Sequence, residues 1–221
     1  MMNLYLPKNV EIDGKEHEIR YDFRVILEII VMLSDPELSN NEKAEALLTM
    51  FYLEPETIND PKAAVEACLR FIDCNSDRKP APKGKRLIDW EQDFNHIIAP
   101  VNHILGYDAR NVSYDPEENT GGLHWWTFLG AFMEIGSDSL FSQIVSIRDK
   151  QAHGKKLDKH EREWLRRNTD LVTIKNRYSM AENELVDAWT KGVSVHADYI
   201  LDVAVIMQKL ECSLYLTLRF C

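Results

Sequence analysis

With 221 residues, 45% of them hydrophobic, the chain has enough apolar material for one sizeable core. A formal net charge of −10 argues against a protein built to grip duplex nucleic acid or an anionic membrane, since phosphate contacts need clustered Lys and Arg. Cys68, Cys74, Cys212 and Cys221 lack CxxC spacing, the residues before Pro7 lack a signal-peptide core, and no uncharged apolar run reaches ~18 residues, so the expectation is a soluble cytosolic protein with reduced thiols.

Val10 to Tyr21 alternates apolar and polar residues around Asp13 and Gly14, which predicts a small N-terminal β-hairpin. Asp22 then offers an N-cap, and Phe23, Val25, Ile26, Leu27, Ile29, Ile30, Val31, Met32 and Leu33 make a nearly all-apolar helix that Pro36 stops. Ser39 with Glu42 reads as a capping box ahead of Leu47, Leu48 and Phe51. Asp60 and Pro61 open a helix with Ala64, Ala67, Cys68, Phe71 and Ile72 on one face.

Asn75 to Arg86 carries Pro80, Pro82, Gly84 and five basic side chains, and reads as an exposed loop. Asp89 with Gln92 suggests another capping box, followed by a stripe of Trp90, Phe94, Ile97, Ile98 and Val101 that Pro100 should kink. Asn111 to Gly122 reads as a polar loop. Leu123 to Gly136 is the most informative segment, because its large apolar residues fall on every side of a helix. A helix without a wet face must be covered all round, by the body alone or by the body and a partner.

Ser137 or Asp138 is expected to cap a helix carrying Leu140, Phe141, Ile144 and Val145, and Asp158 with Glu161 one carrying Trp164 and Leu165. Ser179 with Glu182 caps one carrying Leu185, Val186 and Trp189, which Gly192 ends. After Val193 charges thin out and Leu214, Leu216, Leu218 and Phe220 alternate as in a strand. The chain therefore divides into a helical domain over 1–192 and an atypical C-terminal extension over 193–221. The fold class is mostly α: a compact multi-helix domain with a small N-terminal β-hairpin.

The chemistry-bearing patterns are weak. His160-Glu161 begins like a zinc-protease helix, but Trp164 stands where the second histidine belongs. Asp89, Asp93 and His96 would be the centre of a small metal-dependent hydrolase, the weakest alternative, because acids at a helix N-terminus are expected simply to oppose the macrodipole. His96 and His103, seven apart with Pro100 between them, do not pair. No dinucleotide fingerprint, Walker loop or nucleophile elbow occurs, so no catalytic residue, metal or cofactor is assigned. The candidates for partner binding are the aromatics Trp90, Phe94, Trp125 and Trp126, and the cations Arg148, Lys150, Lys155, Lys156 and Lys159, from a basic stretch that runs on to Arg162, Arg166 and Arg167. Each set has a plainer reading: core burial for the indoles and a solvated helix face for the cations.

Leu6-Pro7-Lys8, the Ile12-Asp13-Gly14 turn, Tyr21-Asp22-Phe23-Arg24, Asp89-Trp90-Glu91-Gln92-Asp93-Phe94, Ile98-Ala99-Pro100-Val101-Asn102 and Leu123-His124-Trp125-Trp126-Thr127-Phe128 together resemble one family. It is the phage gene-product-fifteen family of tailed-phage and prophage tail modules, and the likeness runs roughly over residues 4 to 175. The resemblance implies a non-enzymatic protein of the host bacterial cytoplasm, a viral tail assembly chaperone that coats the long tape measure protein while tube subunits polymerise around it. It implies the tape measure protein and other tail proteins as partners, leaves self-association open, and implies neither nucleic acid nor membrane. A structural tail component retained in the virion is the alternative. The segment after Gly192 departs from the family pattern and is read as an appended or out-of-frame extension, which the intact mass of the native product tests.

Overall fold

The computed structural model describes residues 5–75 and 86–175, and these are mostly helical with a small N-terminal antiparallel hairpin. The basic Pro-rich loop, the helix expected after Ser179 and the extension over 193–221 lie outside the described residues.

Strand β1 (Asn9–Ile12) pairs with β2 (Lys15–Glu18), Ile12 facing Lys15 across the turn. Asp13 and Gly14 both take positive φ, 51° and 78°, as a two-residue type I′ turn demands. Helix α1 (Phe23–Leu33) starts where the Asp22 carboxylate accepts the Arg24 amide, and α2 (Asn40–Phe51) carries the reciprocal Ser39–Glu42 capping box. Arg20 closes the far end of α2, donating from Nη1 to the carbonyls of Thr49, Met50 and Tyr52, where a cation also opposes the helix dipole. Helix α3 (Pro61–Ile72) is capped by Asp60, and α4 (Trp90–Leu105) continues through Pro100 to a left-handed Gly106.

Three local expectations need correction. At α4 the reciprocal bond to the Asp89 backbone N–H comes from Asp93 one residue further on, because Gln92 instead donates to the Thr173 carbonyl. The polar segment 111–122 contains a short hairpin, β3 (Tyr114–Asp115) with β4 (Thr120–Gly121). Ser139, not Ser137 or Asp138, caps α6 (Leu140–Ala152), donating to the Ser142 hydroxyl and accepting the Ser142 amide. The capping box predicted at Asp158 and Glu161 does open α7 (Lys159–Arg167), which is followed by the short α8 (Thr169–Val172).

Helix α5 (Trp125–Met133) is the centre of the body. The packing runs in order from β1 to α3, α2 and α1, then to α4 and α5, then through α6 to α8 and α7. Aromatic rings trace that line: Phe23 stacks on Phe128 at 4.6 Å, Trp90 lies 4.9 Å from Phe132, and Phe132 meets Phe141. Trp125, Phe128 and Phe132 are fully buried, each gaining roughly 1.5–3 kcal/mol or more from removal of its ring from water. The cover is not complete, however. Trp126, Thr127, Gly130 and Met133 are half-exposed, and their spacing of four and three residues makes them one stripe along α5.

Candidate partner-binding surface

The polar groups inside the body are all used to hold it together. Asp22, fully buried, accepts from the Arg24 amide at one oxygen and from the Leu123 amide at the other, 2.8 Å away, and pairs with the Arg24 guanidinium. Burial pushes this carboxyl up, against the lowering effect of the two amides and the guanidinium. Gly122 is required beside it: a Cβ there would lie 2.4 Å from Asp22 Oδ2, and φ is +76°.

His124 closes the other side of the same seam. Its Nδ1 accepts the Trp126 amide at 3.0 Å as the N-cap of α5, which leaves the proton on Nε2 to be donated to the Pro7 carbonyl at 2.8 Å. The ring stacks on Tyr21, and burial holds its pKa below the ordinary histidine value.

The second buried polar centre joins α4 to α6 and α8. Arg148 donates all five of its N–H groups: from Nε to the Val172 carbonyl, from Nη1 to the Leu87 carbonyl and Asp93 Oδ2, and from Nη2 to Asp93 Oδ1 and the Leu171 carbonyl. Both carboxylate oxygens of Asp93 are thereby occupied, and Asp89 is held by the α4 amides and by Arg86. His96 is half-exposed one turn away. Among the described residues no three or more His, Cys, Asp or Glu side chains are grouped to hold a metal ion, and no buried side-chain N or O lacks a hydrogen bond.

The nine residues proposed from sequence for partner contact therefore separate. Trp90, Trp125 and Arg148 are interior, and Trp125 donates its indole N–H to the Ile72 carbonyl. Trp126 is half-exposed, its indole N–H on the Phe71 carbonyl at 2.8 Å, and Phe94 is also half-exposed. Lys150 is partly covered and donates to Glu161, fastening α7 to α6. Lys155, Lys156 and Lys159 are exposed. Sequence reading missed the seam built from Asp22, Gly122 and His124; the Gly121-Gly122 pair ahead of the aromatic run was its one visible sign.

Cys68 and Cys74 are free thiols; burial pushes both up, Cys74 to about 12, so neither carries reactive thiolate near neutrality. No described helix is long and apolar enough to cross a membrane.

The body is mostly helical with a structural polar interior, and of the nine candidates Trp126, Phe94, Lys155, Lys156 and Lys159 remain accessible. The chain belongs to the Bacteriophage Gp15 protein family, whose model matches residues 2–179, and it is thus a phage protein. No curated protein and no solved structure matches it significantly.

Proposed function

We propose that this phage protein works by binding and not by catalysis, as a tail assembly chaperone that holds the tape measure protein in the host cytoplasm before the tail is built. Family membership supports the phage setting. The observation that carries the binding role is the half-open stripe of Trp126, Thr127, Gly130 and Met133 on a helix otherwise sealed in the core. Apolar side chains at that spacing, with a glycine allowing close approach, suit an apolar face of a partner helix laid alongside. The stripe is narrow and half-covered, which suits a contact that must later be released. The acidic net charge keeps such a complex dispersed.

Co-expression with the tape measure protein of the same phage tests the proposal. The expected result is a soluble complex that co-purifies, with Trp126→Ala reducing recovery while Trp126→Phe retains it and both variants keep the native helical spectrum. A tape measure protein equally soluble alone would count against the chaperone role. Presence of the chain at fixed stoichiometry in purified particles would favour a retained tail component instead.

A further inference from the structure

The described surface carries two strong charge patches of opposite sign, on elements at the two ends of the packing order. On α7, Lys159, Arg162, Arg166 and Arg167 are all exposed on the side turned away from Glu161, Trp164 and Leu165. None of the four is ion-paired among the described residues. Glu163 is exposed among them, one turn from Lys159, Arg166 and Arg167, so the face carries four cations against one carboxylate and keeps a net positive charge away from the core.

The acidic patch surrounds a cleft of about 490 Å³ between β2 and the turn at Pro55–Thr57, lined by Glu16, Glu18 and Glu54 with Lys15 as its one cation. Glu56 is exposed on the same turn, and Glu11 is exposed on β1 opposite Glu16. Asn9 donates to Glu16 and Asn119 to Glu18, and these neutral amides fix the carboxylates without cancelling their charge. The cleft is concave and the α7 face is convex, so shape and sign are both complementary between two copies. Within one copy α2, α1, α4 and α5 come between the β1–α3 end and the α6–α8 end in the order of packing.

We propose that the basic outer face of α7 docks in the acidic cleft beside β2 of a second copy, so that copies associate head to tail. Such a contact is heterologous: each added copy presents a fresh cleft and a fresh α7, and the assembly stays open to growth unless its rotation closes a ring. The net charge of −10 sets a general repulsion against it, which confines association to conditions where that repulsion is screened but close pairs survive.

The test is the mass of the full-length protein in solution against concentration and salt. At about 0.15 M salt, where the screening length is roughly 8 Å, the average mass is expected to climb with concentration; at about 1 M, where it is roughly 3 Å, association should weaken about 10-fold or more. Arg162→Gln with Arg166→Gln, and separately Glu16→Gln with Glu54→Gln, should each leave a monomer. An equimolar mixture of the two variants should then give a 1:1 dimer that grows no further, because one intact cleft and one intact α7 remain. All four positions are exposed, and circular dichroism checks that each variant keeps its fold. A wild-type monomer under every condition overturns the proposal. So does association that persists at 1 M salt, that survives either double variant, or that the mixture fails to restore.

Discussion

The seam between α1 and α5 and the edge made by α6 and α7 use the same kinds of side chain in opposite ways. At the seam, Asp22 and His124 satisfy backbone amides and tie two helix starts to each other. At the edge, Lys155, Lys156, Lys159 and Arg162 face water. Arg148 comes from the same basic stretch as Arg162, yet it is 4% exposed and bound five times over. A run of positive residues is therefore not one object: what decides each member's role is whether carbonyls and a carboxylate converge on its position.

The largest expected effect comes from breaking the buried centre at Arg148. Arg148→Ala takes the guanidinium from the buried Asp93 carboxylate, which keeps only the Asp89 amide, and the donors from three carbonyls, and should cost about 3–5 kcal/mol, read as a fall in the urea midpoint. Replacing both partners, as Asp93→Leu with Arg148→Met, should recover much of that loss, because no unpaired charge then remains inside. A single variant that loses under about 1 kcal/mol would mean that α6 and α8 are held by packing alone.

Next in size is Gly122→Ala. Its Cβ would meet the Asp22 carboxylate at 2.4 Å in a backbone conformation that suits glycine, so either the carboxylate or the chain must move. A loss of roughly 1–3 kcal/mol is expected, with the α1 cap and the Leu123 bond disturbed together. Unchanged stability would show that the seam has more room than its geometry implies.

The same seam should make stability depend on pH with two opposing signs. The His124 pKa is lowered in the folded protein, so as pH falls through the ordinary histidine range the unfolded chain takes the proton first and stability declines. Asp22 is raised, so below its folded value and down to the ordinary 3.8 the folded protein holds the extra proton and stability shifts the other way. Between pH 7 and 5 the histidine should dominate. His124→Asn keeps an N-cap acceptor but removes the titration, so chemical denaturation at pH 7, 6 and 5 should show a flatter dependence than the wild type. Equal slopes would place the pH sensitivity elsewhere.

Much of this architecture was legible because its signals are local. The Asp-Gly turn, the caps at Asp22, Ser39, Asp60 and Asp158, and the apolar density of Leu123 to Gly136 each act within a few residues of themselves. The failures came where a distant group competed for a near one. Gln92 reaches across to Thr173 and leaves the Asp89 amide to Asp93, and nothing near Asp93 in sequence announces Arg148. The half-exposure of Trp126 against the burial of Trp125 was equally hidden: on a helix apolar all round, periodicity does not say which side stays half-open, and both indoles bond to the end of α3. The charged candidates divided for the same reason, by long-range partners and not by composition.

The smallest expected effect is the sharpest check on the contrast between seam and edge. If the outer face of α7 is solvated, Arg162→Gln with Arg166→Gln should change the unfolding free energy by no more than about 0.5 kcal/mol, the range of surface substitutions without special contacts. Most of that comes from Arg166, which lies in the last turn of α7, where an exposed cation opposing the helix dipole contributes about 0.3 kcal/mol at low salt. The loss should therefore shrink as salt is added, whereas the loss from Arg148→Ala, inside the protein, should hardly respond. Thermal unfolding of both variants in low and in 0.5 M salt measures this directly. A cost above about 1 kcal/mol that salt does not reduce would mean that the α7 cations are engaged as firmly as Arg148, and the division between a structural interior and a free cationic edge would fail.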